Sequence, residues 1–170
     1  MLFTKWAIRS HCWSVRVERQ RLYPGFAKRL QFPIRYLTFT PGARIDFNGL
    51  TLSCATTVHS VLNYTVRVDI AGKTPASFAV SGDGQITDET KQLVGDVGVL
   101  FQEIYCEKPE IPVHADLETV ADWIKSSQVK QIVTSHFSRS AKAKLKKQVS
   151  SKTKSATRWV VARPGLEVIL

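Results

Sequence analysis

The stretch TTVHSVLNYTVRVDIAGKTPASFAVSGDG, residues 56–84, decides how the chain is read. Its centre, NYTVRVDI (63–70), alternates apolar and polar residues with the period of two that a half-buried strand requires. Ala71-Gly72-Lys73 ends that strand, and SFAVSGD (77–83) is apolar enough to be a buried central one. His59 stands ahead of the first strand, and Asp83, held between two glycines, closes the second. Neither has a chemical partner nearby in sequence, so their purpose depends on what meets them in space.

Upstream, RIDFNGLTLSCATTV (44–58) carries Asn48-Gly49 between two alternating runs, a strong hairpin signal because both turn residues tolerate positive φ. IRYLTF (34–39) reads as a further strand. Residues 1–33 show no steady period; YPGF (23–26) is a turn signal and Pro33 stops whatever precedes it. The expected division is an irregular segment over 1–33 and a domain over 34–170.

Downstream the text turns to strand–helix alternation. TDETKQLV (87–94) places Thr87 at an N-cap with Asp88 and Glu89 in the first turn, which suits the helix dipole. VGVLFQEI (97–104) and KQIVTSH (130–136) read as buried strands. Between them, Asp116 opens an amphipathic helix with Leu117, Val120, Ala121 and Ile124 on one face. SRSAKAKLKKQVS (138–150) reads as a basic helix, and RWVVA, PG, LEVIL closes the chain as a hairpin or edge strand. Strands first, then alternation, predict an α/β layered sheet with helices on its outer face.

Composition narrows the classes. The 44% hydrophobic content suits a globular core, and no apolar run approaches the roughly 20 residues that span a bilayer. Lys5 and Arg9 interrupt the N-terminus too early for a signal-peptide core. Cys12, Cys54 and Cys106 are an odd count without C-x-x-C spacing and read as reduced thiols of a cytoplasmic protein. Residues 1–44 hold nine Lys/Arg against one acid, and so do residues 137–170, whereas 45–136 hold six against twelve. The net charge of +10 therefore belongs to the two ends. Such ends attract nucleic acid or anionic substrates, although a solvated helix face is the ordinary reading of the same charges.

Four polar residues fall at comparable places: His59 after one strand, Asp83 and His136 at the ends of two others, and His114 in a loop just before a helix. Strand ends along one edge of a layered α/β sheet form a rim where ligand and catalytic groups collect. Two imidazoles and a carboxylate there suit Zn²⁺, which takes N and O ligands. Taken singly, each has a dull alternative, since a lone His is most often surface or core and an Asp between glycines a turn former.

Taken in order, the segments VHSVLNYTVRVD, FAVSGDG, VGVLFQEIY, VHADLETVADW, IVTSHFS and RWVVARPGLEVIL resemble the second half of the metallo-β-lactamase superfamily. They are most similar to ribonuclease Z and its hydrolase relatives. The resemblance covers about residues 34–170 and implies the C-terminal half of a layered αββα fold, a mixed sheet with helices on its outer face. It implies His59, Asp83 and His136 as metal ligands, with Asp83 bridging two ions. Glu103, in the segment resembling H-E-A-T, and His114 would support the chemistry as acid–base groups. The implied activity is metal-dependent hydrolysis of a small ester or phosphoester with one or two Zn²⁺. Binding would weaken as pH falls through the histidine range.

The family's H-x-H-x-D-H is not among the four histidines His11, His59, His114 and His136. The expectation is a truncated hydrolase with weak metal affinity and little activity alone. Only 23 residues separate His59 from Asp83, too few for the projecting arm that binds transfer RNA in ribonuclease Z. An exposed sheet face would need cover from the segment bearing Phe3, Trp6 and Trp13, from a second copy, or from a complementing chain. The competing reading is a non-catalytic remnant that binds nucleic acid or protein through Arg139, Lys142, Lys144, Lys146 and Lys147. A third is an unstable fragment without a function of its own.

Overall fold

Asn48 and Gly49 take φ of +47° and +79°, the left-handed pair that a two-residue hairpin turn needs. They join β1 (Arg44–Phe47) to β2 (Leu50–Thr56), with Phe47 opposite Leu50. A computed structural model describes residues 39–151 and 156–170. The strand expected at 34–39 lies, apart from Phe39, outside them, as do the 33/34 boundary and Phe3, Trp6 and Trp13. Pro41–Leu170 group as one unit, the one considered below.

β3 (Tyr64–Ile70) and β4 (Ala76–Val80) continue the antiparallel meander. Helix α1 (Asp88–Val94) then crosses over, and β5 (Val99–Glu103) pairs with β4 in parallel. Helix α2 (Leu117–Ile124) leads to β6 (Gln131–Ser135), and helix α3 (Lys142–Ser150) leads to β7 (Arg158–Val161), both pairings parallel. The seven strands thus lie in chain order, four antiparallel and then three added in parallel. Parallel neighbours require a crossover, and crossovers of one hand put their helices on one face.

That face holds the core. Ala79, Leu100, Ile132 and Trp159 stand in register across four strands. Against them pack Val94, Leu117, Val120, Ile124, Leu145 and Val149 of the helices. Each buried aliphatic side chain of this kind contributes about 1.5–3 kcal/mol. The opposite face carries Phe78 and Phe101, edge-on at 6.4 Å, with Val66, Val68 and Val133 in neighbouring strands.

Helix starts follow their caps. Thr87 accepts from the Thr90 amide and Asp116 from the Thr119 amide, as their places in the sequence imply. The basic helix starts later than its sequence suggests, because the Ser138 hydroxyl accepts the Ala141 amide at 3.2 Å and holds residues 138–141 as a turn. β7 is a parallel edge strand rather than half of a hairpin, and LEVIL forms no strand. Among the described residues no helix is long and apolar enough to cross a membrane.

Candidate metal and acid–base site

The carboxyl ends of β4, β5 and β6 meet at one lip of the sheet, and each delivers one polar group. β4 runs into Ser81, whose amide bonds the Phe101 carbonyl at 2.8 Å. Gly82 and Gly84, at φ +63° and +119°, turn the chain so that Asp83 stands at the lip. A methyl group at Gly82 would overlap Asn63 Oδ1, and one at Gly84 would lie 2.8 Å from Thr57 Oγ1 and the Val58 carbonyl. The Thr57 hydroxyl donates to the Asp83 carbonyl at 2.9 Å, and Val58 bridges Gln85, so the loop that carries His59 is pinned to the Asp83 turn.

Glu103, the last residue of β5, has a side chain only 1% exposed. Its Oε2 accepts the amides of Gly84 at 2.5 Å and Ala115 at 3.2 Å. Its Oε1 lies 2.5 Å from His114 Nδ1. A carboxylate loses much hydration energy on burial, and three converging donors offset it. The Ser81 hydroxyl in turn accepts the Glu103 amide at 3.0 Å. His114 is delivered by the β5–α2 loop, whose backbone is held by the amide of Leu117 on the Cys106 carbonyl and that of Glu118 on the Glu107 carbonyl.

His136 follows β6 with φ of +55°, a left-handed backbone that bends its side chain off the strand path. Its Nδ1 lies 3.1 Å from Asp83 Oδ1, and its Nε2 lies 4.0 Å from Glu103 Oε1. Asp83 and His136 are 41% and 43% exposed, so the lip opens to solvent on their side. The His59 and His114 rings meet at 74°, with centroids 5.3 Å apart.

All five residues singled out in the sequence therefore gather here. Donor atoms of Glu103, His114 and His136 lie within 4.8 Å of one another, a grouping able to hold a metal ion. The resemblance implies Glu103 and His114 as acid–base groups beside a ligand set of His59, Asp83 and His136; the grouping within 4.8 Å joins Glu103 and His114 to His136 and leaves His59 and Asp83 at its margin. Sequence reasoning missed Tyr105, which stacks on His114 at 4.1 Å, and the amide donors of Gly84 and Ala115. An aromatic two residues beyond Glu103 was the available signal.

Neither buried thiol is a candidate nucleophile, since desolvation pushes both Cys54 and Cys106 up from the ordinary thiol range. A large open groove of about 970 Å³ lies among the helices, lined by Glu107, Trp123, Lys125 and Gln148 among others, and contains none of the five residues. Volume alone would have pointed there; the convergent titratable groups point to the lip.

No protein-family model matches the sequence, and no curated protein matches it by sequence. The fold is nonetheless similar to solved structures. The metallo-β-lactamase fold protein YhfI of Bacillus subtilis superposes with a TM-score of 0.71 at 15% identity, over 96% of this chain and 68% of that one. A diphosphatase from the PhnP family gives 0.68 at 16% identity, over 95% and 59%. Zn²⁺-bound PqqB from Methylobacterium extorquens gives 0.63 at 11% identity, over 81% and 56%. The chain has the metallo-β-lactamase fold, and it spans under two thirds of the length of the latter two proteins.

Proposed function

We propose that the lip is a metal centre of zinc class serving hydrolysis of a small ester or phosphoester. The observation that carries this reading is the grouping of Glu103, His114 and His136, whose donor atoms lie within 4.8 Å of one another, with Asp83 against His136 beside it. The fold neighbours support it, one of them described as Zn²⁺-bound and another as a diphosphatase.

The donor set fits the group. Imidazole nitrogen and carboxylate oxygen are what zinc takes, at about 2.0–2.2 Å each. With Nδ1 of His136 beside Asp83, that ring keeps Nε2 for a cation, whereas His114, whose Nδ1 lies on Glu103, would exchange that contact for the ion in order to share it with Glu103. Glu103 Oε1 and His136 Nε2, 4.0 Å apart, need to close by under an ångström to share an ion. A bound ion of this class supplies Lewis-acid polarisation of a substrate oxygen and makes water acidic enough to react near neutrality.

The chain's own residues divide the remaining work. We assign Glu103, His114 and His136 to the cation and Asp83 to orienting His136, as carboxylates do behind metal-bound imidazoles. The family resemblance assigns the ligands as His59, Asp83 and His136 instead, and the two sets share His136. Asp83, at the exposed side of the lip, is also the carboxylate placed to hold a proton for a leaving group. Of the substrates in the ribonuclease Z-like resemblance, the 23-residue span from His59 to Asp83 favours small ones.

The test is Co²⁺ titration of the purified chain, followed by absorption spectroscopy, with hydrolysis of bis(p-nitrophenyl) phosphate and p-nitrophenyl acetate read with metal and with chelator. One ion per chain is expected, bound weakly, with any hydrolysis lost to chelator. Absence of a Co²⁺ spectrum at millimolar metal, or an unchanged spectrum in His136→Ala, overturns the proposal.

A further inference from the structure

We infer that Tyr105 is the positioning residue of this site, holding the imidazoles of His114 and His136 in their orientations at the lip. The part that concerns metal rests on the reading above; the part that concerns ring orientation does not.

The backbone of Tyr105 is tied to both histidine-bearing loops. Its amide donates to the carbonyl of Ala115, the neighbour of His114, at 2.9 Å. Its carbonyl accepts the amide of Ser138, two residues beyond His136, at 3.0 Å. These bonds fix where the ring stands relative to both loops and do not depend on the ring itself.

The ring then meets both imidazoles. It stacks on His114 with centroids 4.1 Å apart and planes 14° from parallel, and it lies 5.7 Å from His136 at 43°. His114 and His136 are 5.8 Å apart, inclined by 29°. An imidazole hydrogen-bonded through one nitrogen can still rotate about that bond. For His114 the bond is to Glu103, the His59 ring stands at 74° to it with centroids 5.3 Å apart, and Tyr105 covers a face. Removing the ring frees that face and leaves the Nδ1–Glu103 contact and the wider-spaced rings of His59 and His136 to hold the plane of the imidazole. Stacked aromatic pairs prefer near-parallel planes, so the ring selects one orientation and, with Glu103, one tautomer.

The experiment compares wild type, Tyr105→Phe and Tyr105→Leu by imidazole ¹⁵N shifts of the metal-free chain and by Co²⁺ affinity. In wild type and Tyr105→Phe, His114 is expected as a single tautomer protonated on Nδ1. In Tyr105→Leu the two nitrogens should average, and Co²⁺ affinity should fall at least tenfold while Tyr105→Phe stays within twofold. Because the backbone bonds remain, all three should melt alike. A Tyr105→Leu chain with wild-type tautomer and affinity overturns the inference. So does the lack of nuclear Overhauser contacts from the Tyr105 ring to both imidazoles in wild type, which needs no variant to fold. If wild type binds no Co²⁺ yet Tyr105→Leu loses the tautomer, the metal reading fails and the positioning role stands.

Discussion

Glu103 Oε1 meets His114 Nδ1 at 2.5 Å across eleven residues of chain, while its other oxygen takes two backbone amides from separate loops. One buried carboxylate thus joins the Asp83 turn, the His114 loop and the end of β5. An orphaned buried donor costs about 1–3 kcal/mol. Glu103→Ala orphans the amides of Gly84 and Ala115, whereas Glu103→Gln keeps one acceptor oxygen for them. We expect Glu103→Ala to be clearly the less stable in urea, with Glu103→Gln intermediate. Equal midpoints for both variants and wild type would mean that the carboxylate holds nothing together.

The turn that presents Asp83 needs glycine for a steric reason. Gly84, at φ +119°, has Thr57 Oγ1 and the Val58 carbonyl where a methyl group would stand. Forcing a side chain into such a backbone costs about 1–3 kcal/mol. Gly84→Ala should therefore lower the unfolding free energy by that order. Gly72→Ala, which meets nothing within 4 Å, should change it by less than about 0.5 kcal/mol. Parallel denaturant curves for the two variants check this.

Much of the fold is legible because its signals are local. Asn48-Gly49 declares its hairpin, Thr87 and Asp116 declare their helices, and Val66 and Val68 alternate with Arg67 and Asp69 as a sheet facing two ways demands. β7 was ambiguous because its direction is set by the crossover through α3, not by its own residues. The site was legible as strand-end positions, with the resemblance supplying their grouping. Tyr105 on His114 was not, because the contact depends on how the β5–α2 loop returns to the lip. No spacing rule encodes that return.

His136 adopts φ +55°, where L residues other than glycine lose of order 1 kcal/mol. Its contact with Asp83 is two-fifths exposed and contributes little stability. Replacing it should therefore separate folding from chemistry. His136→Gly is expected to be more stable than His136→Ala, and both should lose Co²⁺ binding. The reverse order of melting temperatures would show that the histidine backbone is unstrained.

Glu107 ties the His114 loop to α3 through Lys144 and through Gln148, whose amide donates to Oε1 at 2.6 Å. The hydrogen bond from Lys144, then that from Gln148, hold the Glu107 carboxyl below its usual range. A carboxyl depressed in the folded state adds stability above its unfolded pKa and loses it as pH falls through the folded value. The melting temperatures of wild type and Glu107→Gln should thus differ at neutral pH and converge in acid below the ordinary glutamate range. Because the link is exposed, the gap should also narrow in high salt. A gap that persists in acid would exclude the ionised carboxylate as its source.

The two ligand sets share His136 and make different demands on alanine variants of His59, Asp83 and His114. Glu103 is buried and His114 is fixed against it, so their donors are already ordered before any ion arrives. Among the described residues His59 meets the group through the ring of His114, and Asp83 through His136 Nδ1. Preordered donors bind at the smallest entropic cost, and outer carboxylates behind a ligating imidazole change metal affinity by about 10–100-fold. We therefore expect His114→Ala and His136→Ala to abolish Co²⁺ binding, Asp83→Ala to weaken it by about tenfold, and His59→Ala to leave it nearly unchanged. Isothermal titration of the four variants reads this directly. Loss of binding in His59→Ala with retention in His114→Ala would transfer the centre to His59, Asp83 and His136. Glu103 and His114 would then be the acid–base pair beside it.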